Sequence, residues 1–195
     1  RGFLGLELGL RRYVAGKPVC EVSVDVRLKD IRPYIACSVV KDVELTDPII
    51  RGLMQLQDKL DHTYGRNRRR TSIGLYDFDQ IVAPLSYSVA KPDGVSFVPL
   101  GFDVRMSLRE ILAKHPKGLE YGAIVSGHSV WPILLDAEGK VLSFPPVINS
   151  NDLGRVTEAT RNVLVEVTGT VDETVLNTLT IVSLSLVDRG GTAYS

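Results

Sequence analysis

Hydrophobic and polar residues alternate along several stretches of the chain, and this alternation predicts β-strands. Residues 20–28 alternate cleanly and are expected to form one strand with five residues facing inward, namely Cys20, Val22, Val24, Val26 and Leu28. Residues 35–40 are a continuous apolar run, which is typical of a central strand. Residues 131–135 and 140–144 flank the turn sequence at 136–139, so this part of the chain predicts a β-hairpin.

Residues 162–170 place a charged group inside an apolar strand. One face carries Val163, Val165 and Val167, and the other carries Leu164, Glu166 and Thr168. Burying an unpaired carboxylate is costly, so Glu166 must be solvated, paired or lining a cavity. Ser143 interrupts the preceding strand in the same way. An ordinary sheet with one wet face is the alternative interpretation of this pattern.

Helical signals occur in three further stretches. Asp47, which precedes a proline, predicts the start of a helix whose buried stripe is Ile49, Leu53, Leu56 and Leu60. Ser107 and Glu110 form a capping box for a short helix that ends near Pro116. Residues 172–188 predict a last helix, with Val175, Leu179, Val182 and Leu186 at helical spacing. The expected fold class is α+β, with layered antiparallel or mixed sheets packed against helices.

Composition sets limits on this picture. A chain of 195 residues with 44% hydrophobic content can build one well-buried core, so residues 1–195 are expected to form a single domain. Within this range, residues 1–17 are the expected tail of a preceding domain. The net charge is zero, so any attraction to nucleic acid must be local. No apolar run reaches the length of a membrane span, and no membrane partner is expected. Cys20 and Cys37 lie in apolar patterns, which suggests buried thiols and a reducing, cytoplasmic setting.

Several common catalytic sequence patterns are incomplete in this chain. The sequence GHSVW at residues 127–131 has tryptophan where a nucleophile elbow needs its second glycine, so a serine hydrolase is not expected. The three histidines share no ligand spacing with the cysteines, so no metal site is expected. Asp77 and Asp79 are expected to close a turn through hydrogen bonds to the backbone, with a cation site as the alternative.

Three blocks of sequence occur in an order that points to a family. They are KDIRPYIACSVV at residues 29–40, LQDKLDHTYGRNRRRTSIGLYDFDQI at 56–81, and VLSFPPVIN with TRNVLVEVTGT within 141–170. Together they resemble the β subunit of phenylalanyl-tRNA synthetase of the archaeal and eukaryotic type, in the region of its editing domain. This resemblance implies an excised piece of a larger subunit that hydrolyses wrongly charged tRNA. It also implies that no cofactor binds this piece, and that ATP and Mg²⁺ serve the synthetic parts of the parent enzyme.

The resemblance also implies an editing pocket. Leu134 is expected as an apolar wall, with Ser143, Glu166 and Thr168 as the polar, catalytic members. Glu166 is the natural acceptor for the phenol proton of a mischarged tyrosine. Bacterial relatives carry a histidine near the position of Tyr76, which is expected in a turn and beside the substrate. Because this chain has Tyr76 there, no histidine base is expected at that position. A positioned water is expected to attack the ester, helped by the terminal ribose hydroxyl of the tRNA.

A run of arginines follows the first predicted helix and is expected on an exposed turn, namely Arg66, Arg68, Arg69 and Arg70. Guanidinium groups suit phosphate oxygens, so the run predicts contact with tRNA, while a solvated loop is the alternative. The expected partners are tRNA(Phe) mischarged with tyrosine and the α subunit of the parent heterotetramer, and the fragment alone is expected as a monomer. A tRNA-binding module without activity and a structural spacer are the two alternative functions.

Overall fold

The described part of the chain, residues 15–194 of a computed structural model, consists of helices and of strands that pair antiparallel except for β1, which is parallel to β4. The strands are β1 (Val22–Val24), β2 (Tyr34–Lys41), β3 (Thr71–Asp77), β4 (Leu85–Ala90), β5 (Ser96–Phe97), β6 (Met106–Ser107), β7 (Trp131–Leu135), β8 (Val141–Phe144), β9 (Ile148–Asn149), β10 (Val163–Gly169) and β11 (Thr192–Tyr194). The helices are α1 (Asp47–His62), α2 (Leu108–Lys114), α3 (Pro116–Tyr121) and α4 (Asp172–Val187). The α+β class predicted from the sequence is confirmed.

One antiparallel sheet has the order β11-β2-β10-β3, with β10 between β2 and β3. Every residue of β10 is buried, because both of its faces are covered. The valines of its first face pack against α1 and α4 in a core that includes Leu53 and Val175. On the second face, Leu164 packs into a core that includes Tyr76 and Leu142. Glu166 therefore lies between two layers of the molecule.

The second layer is a sheet of five strands, in the order β1-β4-β7-β8-β9. Its β7–β8 hairpin is the one predicted from the turn at residues 136–139. The carboxylate of Asp136 fixes that turn by accepting hydrogen bonds from the backbone N–H of Glu138 at 3.0 Å and of Lys140 at 2.8 Å. The hairpin carries Ser143 to the side of the sheet that faces β10.

The predicted helices form, with one correction at the start of α1. Thr46 takes the N-cap position of α1, and Asp47 instead pairs with Arg51 one turn later, at 2.8 Å. The capping box of Ser107 is present at the start of α2. Helix α2 ends at Lys114, near Pro116 as predicted, and Pro116 then opens α3, because its fixed φ suits the first turn of a helix.

The strand predicted at residues 20–28 is wrong over most of its length. Only Val22–Val24 is a strand, and Val24 and Val26 are 47% and 86% exposed. The Asp25 side chain accepts a hydrogen bond from the Arg27 N–H at 2.9 Å and starts the 3-10 helix Val26–Asp30. This local hydrogen bond competes with the strand ladder, and it ends the alternation.

The predicted tail at residues 1–17 lies outside the described residues, apart from positions 15–17. Within them, Gly16 forms a parallel bridge to Tyr194 in β11. Across residues 15–194, the helices are all too short or too polar to cross a membrane.

Candidate functional site

A small cavity between the two sheets brings together residues that are far apart in the sequence. Its lining includes Ser143 from β8, Glu166 from β10 and Ser72 from β3, with Arg68 and Asn149 beside them. Its volume is about 10 Å³, which is close to the least space that one water molecule needs. Ser143 and Glu166 thus share one cavity.

Two polar atoms of this cavity are buried without an aligned hydrogen-bond partner among residues 15–194. They are Glu166 Oε1 and Ser143 Oγ, and their side chains are 3% and 2% exposed. Most buried polar atoms in proteins are hydrogen-bonded, because leaving one unpaired costs about 1–3 kcal/mol. Either a water molecule or the polar group of a ligand can satisfy two such oxygens in one cavity.

The other oxygen of Glu166 is occupied. The Tyr76 hydroxyl donates to Glu166 Oε2 at 3.0 Å and lies 3.3 Å from Asn149 Oδ1. Tyr76 is fully buried in β3, so its predicted place in a turn is wrong. Burial and the neighbouring Glu166 charge raise the pKa of the Tyr76 phenol well above its usual value, so this phenol keeps its proton and acts as a donor.

Burial is the main influence on the charge of Glu166. It raises the pKa of this carboxyl to about 7. The hydrogen bond from Tyr76 and the positive charge of Arg32 act in the opposite direction, because both favour the carboxylate. Near neutral pH, Glu166 can therefore switch between accepting and donating a hydrogen bond.

Thr168 lies two residues beyond Glu166 in β10, and its hydroxyl belongs to a buried network. Thr168 Oγ1 accepts a hydrogen bond from Arg32 Nε at 2.9 Å and lies 3.2 Å from Ser72 Oγ. The sequence pattern gave no sign that Arg32 belongs to this network. The pattern of residues 29–40 does not distinguish it from the neighbouring Lys29, which is exposed.

Leu134 pairs with Ser143 in the β7–β8 ladder and is fully buried. Its side chain belongs to the apolar core between the sheets and is not part of the cavity lining. Leu134 therefore supports the site from behind.

A larger groove of about 610 Å³ adjoins the cavity. Four residues line both spaces, namely Arg68, Ile73, Ile148 and Asn149. Tyr76 lines the groove but not the cavity. The groove also carries basic and acidic side chains, which are Lys117, Arg155, Asp58 and Asp103. The groove is large enough for a bulky ligand, whereas the cavity is not.

The arginine run is divided between the surface and the interior, so the prediction that it all lies exposed is wrong for Arg68. Arg66 and Arg69 are exposed, Arg70 is half-buried, and Arg68 is 8% exposed. Three successive residues of this turn, Arg66, Asn67 and Arg68, have positive φ angles of 50°, 54° and 62°. This left-handed segment turns the Arg68 side chain inward.

Arg68 is held by contacts on several sides. Its Nη1 donates to the carbonyl oxygens of Pro146 and Val147, both at 3.1 Å, and its guanidinium stacks over the ring of Tyr121 at 4.3 Å. Its Nε lies 2.8 Å from Asp61 Oδ2, close enough for an ion pair but not aligned for a hydrogen bond. Burial raises the pKa of Asp61 to about 6 despite the adjacent Arg68 charge. These contacts hold the Arg68 side chain inward, where it lines the cavity and the adjoining groove.

The remaining candidate groups have structural partners. Asp77 accepts hydrogen bonds from the Asp79 N–H at 3.2 Å and from Thr160 Oγ1 at 2.9 Å, as expected for a residue that closes a turn. His115 caps α3, where its Nδ1 accepts from the Lys117 N–H at 3.1 Å. Between residues 15 and 194, no group of three or more His, Cys, Asp or Glu side chains is placed to hold a metal ion.

The sequence and the structure are both similar to known proteins. A phenylalanine–tRNA ligase beta subunit from Thermofilum pendens is 49% identical over 191 residues, which are 98% of this chain and 34% of the relative. The corresponding subunit from Thermococcus onnurineus is 46% identical, over 98% of this chain and 33% of the relative. No family model matches the chain.

A crystal structure of an N-terminal fragment of the phenylalanyl-tRNA synthetase beta subunit from Pyrococcus horikoshii has a TM-score of 0.94 to this chain, with 44% sequence identity. The match covers 98% of this chain and 55% of that fragment. The chain spans about a third of the length of the curated relatives that it matches. Over nearly its whole length the chain is therefore similar to one segment of phenylalanine–tRNA ligase beta subunits.

Proposed function

We propose that this chain carries an editing site that hydrolyses the ester of tyrosine wrongly attached to tRNA(Phe). The observation that carries the proposal is the pair of unpartnered oxygens, Glu166 Oε1 and Ser143 Oγ, in one cavity. A phenol can satisfy both, because it donates to the carboxylate and accepts from the serine hydroxyl. Phenylalanine has no hydroxyl and leaves both atoms unpaired, so such a site selects tyrosine.

The two connected spaces suggest how the substrate lies. The cavity has room for a hydroxyl group and no room for an aromatic ring, so the ring must lie where the cavity meets the groove. Ile73 and Ile148 line that junction and supply apolar contact. Leu134 forms the apolar wall behind Ser143, and the terminal nucleotide of the tRNA extends into the groove.

Water is the proposed nucleophile. Among residues 15–194, no histidine lines the cavity or the groove, so neither space holds a histidine base for a serine nucleophile. A positioned water adds to the ester carbonyl, and the tRNA leaves through its ribose oxygen. The neighbouring ribose hydroxyl is in reach of the ester in any bound pose and is the proposed proton carrier.

The relatives are named as beta subunits of a ligase, and we extend this to the chain as a proposal. It works within a longer beta subunit, with an α subunit as partner in a heterotetramer. ATP and Mg²⁺ serve the synthetic reaction in other parts of that enzyme. The exposed arginines of the turn, Arg66 and Arg69, with the half-buried Arg70, contact the tRNA backbone.

Hydrolysis of Tyr-tRNA(Phe) and Phe-tRNA(Phe) by the purified chain tests the proposal. Wild type should release tyrosine much faster than phenylalanine, and Glu166→Ala should slow tyrosine release about tenfold or more, as expected for one lost hydrogen bond to a charged group. Glu138→Ala, in the exposed turn of the β7–β8 hairpin, is the matched control and should keep the wild-type rate.

Two other results would replace the proposal. A wild-type chain that binds tRNA but hydrolyses neither ester would be a tRNA-binding module without activity. A chain that does neither would be a structural part of its subunit.

A further inference from the structure

Arg32 is a charged residue in the protein interior, with 1% of its surface exposed. Its guanidinium donates only to neutral groups. Nε donates to Thr168 Oγ1 at 2.9 Å, and Nη2 donates to Thr168 O at 2.7 Å and to Ser72 Oγ at 3.0 Å. Nη1 donates to the carbonyl oxygen of Arg68 at 3.0 Å. No carboxylate among residues 15–194 forms an ion pair with it.

Hydrogen bonds to neutral groups do not explain why a charge is buried here. A buried charge without a counter-ion is costly, and an apolar side chain of similar size would often serve stability as well or better. The carboxylates whose charges act on Arg32 are Glu166 and Asp61. Asp61 already lies against Arg68, whereas Glu166 keeps one unpartnered oxygen. Glu166 is therefore the charge that Arg32 can balance.

The register of β3 and β10 places the groups held by Arg32 next to Glu166. Thr168 lies opposite Ser72, and Glu166 lies opposite Gly74, so the two pairs are neighbours on one face of the sheet. Because Arg32 donates to Thr168 Oγ1, the Thr168 hydroxyl proton must point away from Arg32. It is then free to point toward Ser72 or Glu166, and the Thr168 hydroxyl lowers the pKa of the Glu166 carboxyl.

We propose that Arg32 is a positioning residue of the editing site, which orients the hydroxyls of Thr168 and Ser72 and holds Glu166 as the ionised acceptor for the substrate's phenol. The inference rests on the proposed function for the identity of that phenol. The link between Arg32 and Glu166 is a property of the chain itself and can be measured without substrate.

Titratable or charged groups face Glu166 from several elements, namely Tyr76 of β3, Cys37 of β2, Tyr87 of β4, Asp61 of α1, Arg68 of the turn after α1, and Arg32 itself. Arg32 and Arg68 are the two cations in this set. Since Arg68 is paired with Asp61, Arg32 is the cation available to Glu166. Removing its charge should therefore make the carboxylate harder to form.

The test is a pH titration of the chain labelled with ¹³C at its glutamate carboxyl carbons, followed by NMR, with Glu166→Gln used to assign the signal. In Arg32→Met the midpoint of Glu166 should rise by about one pH unit or more. Arg32→Lys keeps the charge and loses the fork of donors, so a smaller rise is expected. Arg27→Met, which removes an exposed arginine paired with Asp25, is the control and should leave the midpoint unchanged.

The same variants give a functional readout. The pH profile of Tyr-tRNA(Phe) hydrolysis should move upward together with the Glu166 midpoint, because tyrosine is selected by the carboxylate form. An unchanged midpoint in Arg32→Met, with a lower melting temperature, would show that Arg32 only stabilises the fold and would overturn the inference.

Should Arg32→Met fail to fold, Thr168→Val carries the test, because it removes the hydroxyl that Arg32 holds and keeps the volume. Its Glu166 midpoint must rise, and a midpoint equal to that of wild type would overturn the inference. The variants could shift the Glu166 midpoint while the wild-type chain hydrolyses no tyrosyl ester. That result would refute the proposed function and leave the Arg32–Glu166 link standing.

Discussion

At the scale of single residues, Gly74 shows how little space the site has. A Cβ at this position would overlap the Tyr76 hydroxyl and the Glu166 carboxylate. We expect Gly74→Ala to separate these two groups and to lower the free energy of unfolding by about 1–3 kcal/mol, as overpacking does in other cores. Urea denaturation measures this loss, and the rate of tyrosine release should fall with it.

Gly52→Ala is the matched control for Gly74→Ala. Gly52 lies inside α1, and a Cβ there would meet no atom within 4 Å. Alanine is a better helix former than glycine, so this variant should gain about 0.5–1 kcal/mol. If Gly74→Ala proved as stable as wild type, the close approach of Tyr76 to Glu166 would be wrong.

Glu166 makes the stability of the protein depend on pH. Its pKa is about 7 in the folded chain, above the ordinary value of 4.5, so the folded state binds more protons between these two values. Stability must then fall as the pH rises through this window, and the full cost is present above pH 7. Glu166→Gln cannot ionise, so its stability relative to wild type should increase from about pH 4.5 to 7 and then level off.

Urea titrations at several pH values measure that difference. Glu138→Gln, on an exposed turn, should show no such trend. A constant difference between Glu166→Gln and wild type across the window would mean that burial does not raise the Glu166 pKa.

At the scale of elements, the turn between α1 and β3 separates two arginines that the sequence treats alike. Arg68→Gln leaves Asp61 buried without its partner, and breaking a buried pair in this way costs about 3–5 kcal/mol. Arg69 is exposed, and Arg69→Gln should change stability by less than about 0.5 kcal/mol. Thermal unfolding of the two variants makes the comparison, and equal melting temperatures would contradict the inward position of Arg68.

Local patterns predicted some elements well. The β7–β8 hairpin and β10 follow from alternation and turn residues, and α4 follows from helical spacing. The strand expected at residues 20–28 failed because the Asp25 side chain binds the Arg27 N–H, and alternation does not report such a hydrogen bond.

At the scale of the whole molecule, zero net charge means that the proposed binding to tRNA must depend on local groups. Arg66→Gln and Arg69→Gln should each lower the slope of log affinity against log salt by somewhat less than one unit, with no preference for one RNA sequence. A salt series with tRNA(Phe) measures the slopes, using the chain within its full enzyme if the chain alone binds too weakly. Slopes equal to that of wild type would mean that these arginines lie on a solvated loop and do not contact phosphates.

The sequence by itself determined the fold class, strands β2, β7, β8 and β10, helices α1, α2 and α4, and the presence of a carboxylate in an apolar strand, because these depend on periodicity and on turn and cap residues along the chain. Its resemblance to a family also pointed to Ser143, Glu166 and Thr168. Only the tertiary structure decided what surrounds them, because Tyr76 and Arg32 reach Glu166 and Thr168 across 90 and 136 residues of sequence. It also buried Arg68 through contacts with segments that no local pattern connects to it. Burial and partners are set by packing between distant segments, and they decide which polar groups are free to bind a ligand.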